Sequence, residues 1–177
     1  MTVIELSHSA RLRAAVQEFG ATELASRAAA LLITGDEEPE FLRYLGGRAY
    51  SPSLDRFWLQ SWGARALEYY WVDSAAVAVT AGLSHEHWRV RMVCARVCAV
   101  RELAVPERLE SLLADDNWRV RDAAAWALGG VGEFEHSAGL RALYESDPSP
   151  LVRARAEGAL VAMAQRLDRP VEDLLLG

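Results

Sequence analysis

Apolar side chains recur along this chain at the spacing of amphipathic α-helices, and no segment alternates apolar and polar residues as a half-buried strand does. The clearest example lies between Asp115, which precedes the helix as a capping acid, and Gly129, which we predict to end it. Its i, i+4, i+7, i+8 stripe consists of Val120, Ala124, Ala127 and Leu128. The pattern therefore predicts an all-α fold.

The same spacing of apolar residues predicts helices along almost the whole chain, joined by short loops. Thr22 and Ser53 are the predicted N-caps of two of these helices. Because short loops place successive helices side by side, neighbouring helices should be antiparallel. The predicted helices span residues 9–19, 22–34, 39–45, 53–70, 74–83, 86–100, 106–113, 117–128, 135–144, 151–167 and 171–176.

One helical stripe returns at a nearly fixed interval. Val90 lies thirty positions before Val120, and Val152 lies thirty-two positions after it, each with its own i+4, i+7 and i+8 companions. Such a period indicates a stacked repeat array, in which each helix pair buries its apolar face against the next pair. We therefore interpret the chain as one domain over residues 1–177. Its predicted parts are degenerate N-terminal repeats at 1–71, clear repeats at 73–167 and a C-terminal capping helix at 168–177.

The repeated pattern reads Asp-x-x-x-x-Val-Arg-x-x-x-Ala-x-x-Ala-Leu, starting at Asp115 and again at Asp147. It resembles the HEAT repeat, and most closely the short bacterial subtype known from phycobilisome lyases. A third copy departs from the pattern, since His85 occupies the Asp position and Cys98 the Leu position. The resemblance implies a right-handed α-α superhelix, a HEAT-like solenoid, of about five antiparallel helix pairs.

One arginine per repeat follows the valine of the pattern, namely Arg91, Arg121 and Arg153. The resemblance implies that each arginine pairs with a capping acid of its own or a neighbouring repeat, which suits the bidentate geometry of a guanidinium and a carboxylate. The alternative is a basic stripe that contacts a ligand. The sequence leaves both open.

Composition and charge limit the classes of function. The net charge of −6 argues against a general polyanion binder, because such binders need a cationic surface. Cys94 and Cys98 lie on one helical face, too constrained for an ordinary disulfide, and we interpret both as core residues in a reducing compartment. No segment resembles a signal peptide or a membrane span, so we expect a cytoplasmic protein, and the resemblance to the short repeat subtype implies a bacterial one.

Candidate chemistry is sparse. His85-Glu86-His87 is a local group of metal-ligand types, but it lacks a third ligand at a recognised spacing, and we interpret it as cap and turn residues. No phosphate-binding glycine loop or nucleophile motif is present. We therefore predict no catalytic residue, no metal, no cofactor and no enzymatic activity.

The tryptophans are the remaining functional signal. Trp58, Trp88 and Trp118 stand thirty positions apart, and an arginine follows the last two. They either pack between repeats or form a row on one surface, where Trp and Arg would serve as binding hot spots. We predict a partner-binding surface made of Trp58, Trp88, Arg89, Trp118, Arg119, Arg153 and Arg155.

These observations favour a non-catalytic protein–protein interaction scaffold that binds a peptide, helix or partner domain on the concave face of the solenoid. A homo-oligomer is compatible with the same surface. Two alternatives stay open: a bilin lyase-like protein that handles an open-chain tetrapyrrole, as the repeat subtype suggests, and a nucleic-acid-binding HEAT-like protein. The acidic net charge disfavours the second alternative.

Overall fold

The computed structural model describes residues 2–36 and 38–176, with Leu176 described by its backbone alone. It is 76% helical, and no strand occurs in the described residues, so the all-α prediction is confirmed. The α-helices are α1 His8–Phe19, α2 Ala21–Thr34, α3 Pro39–Gly46, α4 Arg56–Leu67, α5 Ala75–Gly82, α6 Trp88–Arg101, α7 Pro106–Ser111, α8 Trp118–Val131, α9 Ser137–Ser146, α10 Pro150–Arg166 and α11 Val171–Leu176.

The chain forms two compact units, residues 1–82 and residues 83–177. In the first unit, α2 packs against α4 and α5, while α1 packs against α3. Gly63 allows the close approach of α4 to α2, because a Cβ at this position would lie 2.6 Å from the carbonyl oxygen of Ala28. No carbon atom fits at that distance, so glycine is required here.

In the second unit, α8 is the central helix and packs against α6 on one side and α10 on the other. α7 and the 3-10 turn Leu112–Ala114 also contact α8, and α9 contacts α10. The short helix α11 packs against α9 and α10. These helix pairs are arranged as in a HEAT-like solenoid, and α6, α8 and α10 are the second helices of successive pairs.

The prediction that Gly129 ends its helix is wrong, because α8 continues through Gly129 and Gly130 to Val131. Gly129 is instead a packing residue. A Cβ there would lie 2.9 Å from the Cα of Ala159, so its absence lets α8 and α10 approach closely. A glycine at the end of a helical stripe predicts a helix end, but Gly129 marks a contact between two helices.

Two predicted N-caps are also wrong. α2 begins directly after Gly20, whose φ of 83° is a conformation that glycine adopts readily, so Thr22 lies inside the helix. α4 begins after Asp55 rather than at Ser53, and the Ser53 hydroxyl instead lies 3.0 Å from that of Ser51. In both places a turn before the helix determines where it begins.

Candidate functional site

A repeated hydrogen-bonded pair joins successive repeats of the second unit. Arg91 Nε donates to Asp115 Oδ2 at 2.7 Å, and Arg91 Nη2 donates to Asp115 Oδ1 at 3.1 Å. The same guanidinium donates through Nη1 to the carbonyl oxygens of His85 and Glu86. Arg91 therefore links the loop before its own helix, α6, to the loop before α8, the second helix of the next repeat.

The next pair repeats this geometry. Arg121 Nε and Nη2 donate to the Asp147 carboxylate at 2.6 and 2.9 Å, and Arg121 Nη1 donates to the carbonyl oxygens of Asp115 and Asp116. Asp147 also accepts the N–H of Ser149. The hydrogen bond from Arg121 holds the pKa of the buried Asp147 carboxyl below its usual range. The prediction that these arginines pair with capping acids is borne out for Arg91 and Arg121.

Arg153 keeps only part of this geometry. Its Nη1 donates to the carbonyl oxygens of Asp147 and Pro148, as its counterparts do, but no carboxylate in the described part of the chain pairs with it. Its side chain thus holds the loop before α10. We call the Arg91–Asp115 and Arg121–Asp147 pairs, together with Arg153, the arginine series.

Trp88 and Trp118, at equivalent positions of α6 and α8, are bridged by one side chain. The Arg119 guanidinium carbon lies 4.4 Å from the ring centroid of Trp118 and 5.7 Å from that of Trp88. The Arg89 guanidinium carbon also lies over Trp88, 4.9 Å from its ring centroid. Both indoles are half-buried and Arg119 is exposed. The row thus packs between repeats and also reaches solvent.

Trp126 was not among the predicted site residues, yet it is the tryptophan with an exposed large surface, at 38%. It lies on α8 two turns after Trp118 and points away from the core. The guanidinium carbons of Arg96, from α6, and Arg155, from α10, each lie 5.9 Å from its ring centroid. Its repeat-equivalent positions are occupied by Arg96 and Gly158, which are both exposed, so this position faces outward in α6, α8 and α10.

Two hollows run along this side of the second unit. A cleft of about 330 Å³ surrounds Trp126 and has a floor of small residues: Ala99, Gly130, Ala154, Gly158, Ala159 and Ala162. A hollow of about 470 Å³ lies beside Trp118 and is lined also by Asp122 and Leu151. Because Ala154 and Arg155 line both, the hollows are adjacent. We call this surface, together with the Trp88 ring that Arg119 contacts, the α8 face, defined by Trp88, Arg89, Arg96, Trp118, Arg119, Trp126, Gly130, Leu151, Ala154, Arg155 and Gly158.

Arg155 is held on the α8 face by Asp122. Arg155 Nε lies 3.2 Å from Asp122 Oδ1, and both side chains are partly exposed. This pair orders the guanidinium beside Trp126, although an exposed ion pair contributes less than about 1 kcal/mol to stability. Trp58, in contrast, lies on α4 of the first unit, where its ring is 5.4 Å from that of Phe57.

The candidate metal-ligand group has a local structural role. His85 Nδ1 accepts the N–H of His87, and His87 Nδ1 accepts the N–H of Arg89, which caps the start of α6. Within residues 2–36 and 38–176, no three His, Cys, Asp or Glu side chains come together as metal ligands would. Burial raises the pKa of Cys98 to about 12 and raises that of Cys94 as well, so both thiols are protonated.

Comparison with protein families agrees with this architecture. Residues 76–161 match the family model of HEAT repeats. The chain therefore contains HEAT repeats in this region. The match covers the part in which the arginine series joins successive HEAT repeats, and it does not distinguish the phycobilisome lyase subtype.

HEAT repeats commonly mediate protein–protein interaction and are in general not catalytic. A search of curated proteins finds no relative of this chain. Among the described residues, no helix combines the length and the apolar character that a membrane crossing requires.

Proposed function

We propose that this protein is a non-catalytic scaffold or adaptor that binds a protein partner on the α8 face. The observation that carries the proposal is the exposed Trp126, placed between Arg96 and Arg155 above a floor of small residues. Trp126 leaves more of its side chain exposed than the other five tryptophans do. Tryptophan and arginine are the residues most enriched in binding hot spots, so together they suit a partner contact.

The small residues beside Trp126 support a close contact with a partner backbone. A Cβ added at Gly130 or Gly158 would meet no protein atom within 4 Å, so neither glycine is required by packing inside the chain. Glycine at a helix interior costs about 1 kcal/mol relative to alanine. Two such glycines on one open surface leave room for a helix or an extended segment to approach α8 and α10.

The predicted binding surface is accordingly revised in the proposal. Trp88, Arg89, Trp118, Arg119 and Arg155 remain in it. Trp126 and Arg96 are added. Arg153 is set aside because its guanidinium holds the loop before α10, and Trp58 because it belongs to the first unit.

The test uses peptides, since the surface is sized for a segment of chain. The chain of residues 1–177 is used to select binders from a displayed library of random peptides, and dissociation constants of selected peptides are then measured by fluorescence anisotropy. We expect Trp126→Ala to weaken binding about tenfold or more, as the loss of a hot-spot indole does.

The matched control is Tyr144→Ala on α9, since Tyr144 is 37% exposed and Trp126 is 38% exposed. We expect this variant to bind within about twofold of wild type, because surface positions outside a contact are nearly neutral. Selection of no peptide above background, or equal binding by the Trp126→Ala variant, would overturn the proposal. Light scattering on the same samples shows whether a second copy of the chain occupies the face instead.

A further inference from the structure

Arg119 differs from four other arginines of the second unit in the groups that lie around its guanidinium. Arg91, Arg121, Arg155 and Arg166 of the same unit each lie within 4.0 Å of a carboxylate oxygen. Arg119 is exposed, and no carboxylate in the described part of the chain pairs with it. Its guanidinium instead lies over two indole rings. A cation is therefore held at the surface in a defined place without an acidic partner of its own.

The two indoles restrict the position of the Arg119 side chain but do not neutralise its positive charge. Contact with an aromatic face is favourable for a guanidinium by about 0.5–1 kcal/mol at an exposed site, and it leaves the N–H groups in the guanidinium plane able to donate. Because the side chain is already ordered, less rotamer entropy is lost when a ligand binds. The group best matched to this planar set of donors is a carboxylate, which accepts two parallel hydrogen bonds.

We propose that the partner segment is acidic, and that one of its aspartate or glutamate carboxylates pairs with Arg119 between Trp88 and Trp118. This inference rests on the proposed function and specifies the partner chemistry for the α8 face. The carboxylate completes at Arg119 the same kind of pair that Asp115 makes with Arg91 inside the protein.

Charge near Trp88 sets the direction of the segment. The hollow beside Trp88 is lined by Glu86 and Asp116, whose carboxylates would repel an acidic chain, and its arginine, Arg91, is already paired with Asp115. The hollow beside Trp118 is lined by Leu151 and Ala154, and its one acid, Asp122, is already paired with Arg155. The segment therefore extends from Arg119 over the Trp118 hollow toward Trp126.

The length of the contact follows from the helix. Trp118 and Trp126 are eight residues apart on α8, which corresponds to about 12 Å along the helix axis. About four extended residues or eight helical residues of a partner span that distance. We therefore expect an acidic residue at one end of the bound segment and an apolar residue at about this distance from it, in the Trp126 cleft.

A nucleic acid is the less favourable anion for this surface. Its phosphates repeat along the whole strand and would meet Glu86, Asp116 and the net charge of −6 as well as Arg119. A protein segment presents one carboxylate at one place and apolar atoms elsewhere, which matches the Arg119 guanidinium next to the Trp118 hollow.

The experiment measures binding of a selected peptide and of its amide twin, in which every Asp is replaced by Asn and every Glu by Gln. We expect enrichment of Asp or Glu among the selected peptides and at least about tenfold tighter binding of the acidic form. Arg119→Gln should abolish that difference while leaving the amide twin within about twofold. Arg119→Lys, which keeps the charge but loses the planar donor set, should give an intermediate affinity.

Arg108→Gln on α7 is the matched control, because Arg108 is exposed and the variant carries the same change in charge. It should leave both peptides unchanged. The inference is overturned if selected peptides lack acidic residues, if Arg119→Gln weakens both twins equally, or if duplex DNA binds in preference to every peptide. When Trp126→Ala weakens binding and Arg119→Gln does not, this inference fails alone; when Trp126→Ala has no effect, the proposed function fails with it.

Discussion

The two compact units are both all-α, but different kinds of contact stabilise them. In the second unit the same bidentate arginine–aspartate pair recurs from repeat to repeat, as in Arg91–Asp115 and Arg121–Asp147. In the first unit, the contacts of Arg11 and of Arg27 each occur once. A contact that recurs is visible in the sequence as a period, whereas a contact that occurs once has no such signature.

Two arginines illustrate the single contacts of the first unit. Arg11 donates to the carbonyl oxygens of Leu6, Tyr44 and Leu45, and so joins α1 to the end of α3. Arg27 lies over two rings, with its guanidinium carbon 4.9 Å from the Phe19 centroid and 4.2 Å from the Phe41 centroid. Neither arrangement corresponds to a motif that a sequence pattern reveals.

The largest expected effect comes from breaking the recurring pair. Asp147→Ala leaves the half-buried Arg121 guanidinium without its carboxylate and removes the acceptor for the Ser149 N–H. We expect a loss of about 3 kcal/mol in the free energy of unfolding, measured by denaturant titration followed by circular dichroism. Asp122→Ala, which breaks the exposed pair with Arg155, should cost less than about 1 kcal/mol. Equal losses in the two variants would contradict this ranking.

The corresponding change in the first unit is Arg11→Met. Methionine keeps an apolar stem of similar length but donates no hydrogen bond, so three carbonyl oxygens lose their donor. We expect a loss of about 2 kcal/mol, measured by the same titration. A loss below about 0.5 kcal/mol would show that water replaces Arg11 at no cost, and that the first unit does not depend on this contact.

Gly129 and Gly130 are adjacent on α8, but Gly129 is buried against another helix and Gly130 is exposed. Gly129→Ala places a Cβ against the backbone of Ala159 and should cost about 1–2 kcal/mol. Gly130→Ala meets no neighbour and should stabilise α8 by about 0.5–1 kcal/mol through helix propensity. Thermal unfolding of both variants tests the contrast, which fails if the two changes have the same sign.

Acid should affect the two units in different pH ranges. Burial, with the charges of Arg65 and Arg11, lowers the pKa of His8 to about 4. Because the unfolded histidine titrates near 6.5, the unfolded state binds the proton first, and the first unit should lose stability as pH falls from about 6.5 to 4. Asp147, whose pKa is lowered by Arg121, should lose its contribution only below about pH 4. NMR titration of His8 near pH 6.5 would contradict the order.

The sequence predicts the helices and the arginine–aspartate pairs because both depend on residues that recur at fixed spacing. It predicts the role of Gly129 incorrectly, because a glycine that ends a helix and a glycine that packs against another helix cannot be distinguished in a single sequence. Trp126 was missed for a related reason. Trp58, Trp88 and Trp118 recur at an interval of thirty residues, whereas Trp126 does not recur, since Arg96 and Gly158 occupy its equivalent positions.

The proposed binding role of the α8 face is tested most directly by measuring binding and unfolding together for Trp126→Ala. We expect the dissociation constant for the selected peptide to be at least about tenfold higher than that of wild type, with a smaller loss in the free energy of unfolding than Asp147→Ala causes. Unchanged binding, or a loss of stability of the size expected for Asp147→Ala, would contradict the proposed role and would make Trp126 a structural residue of α8.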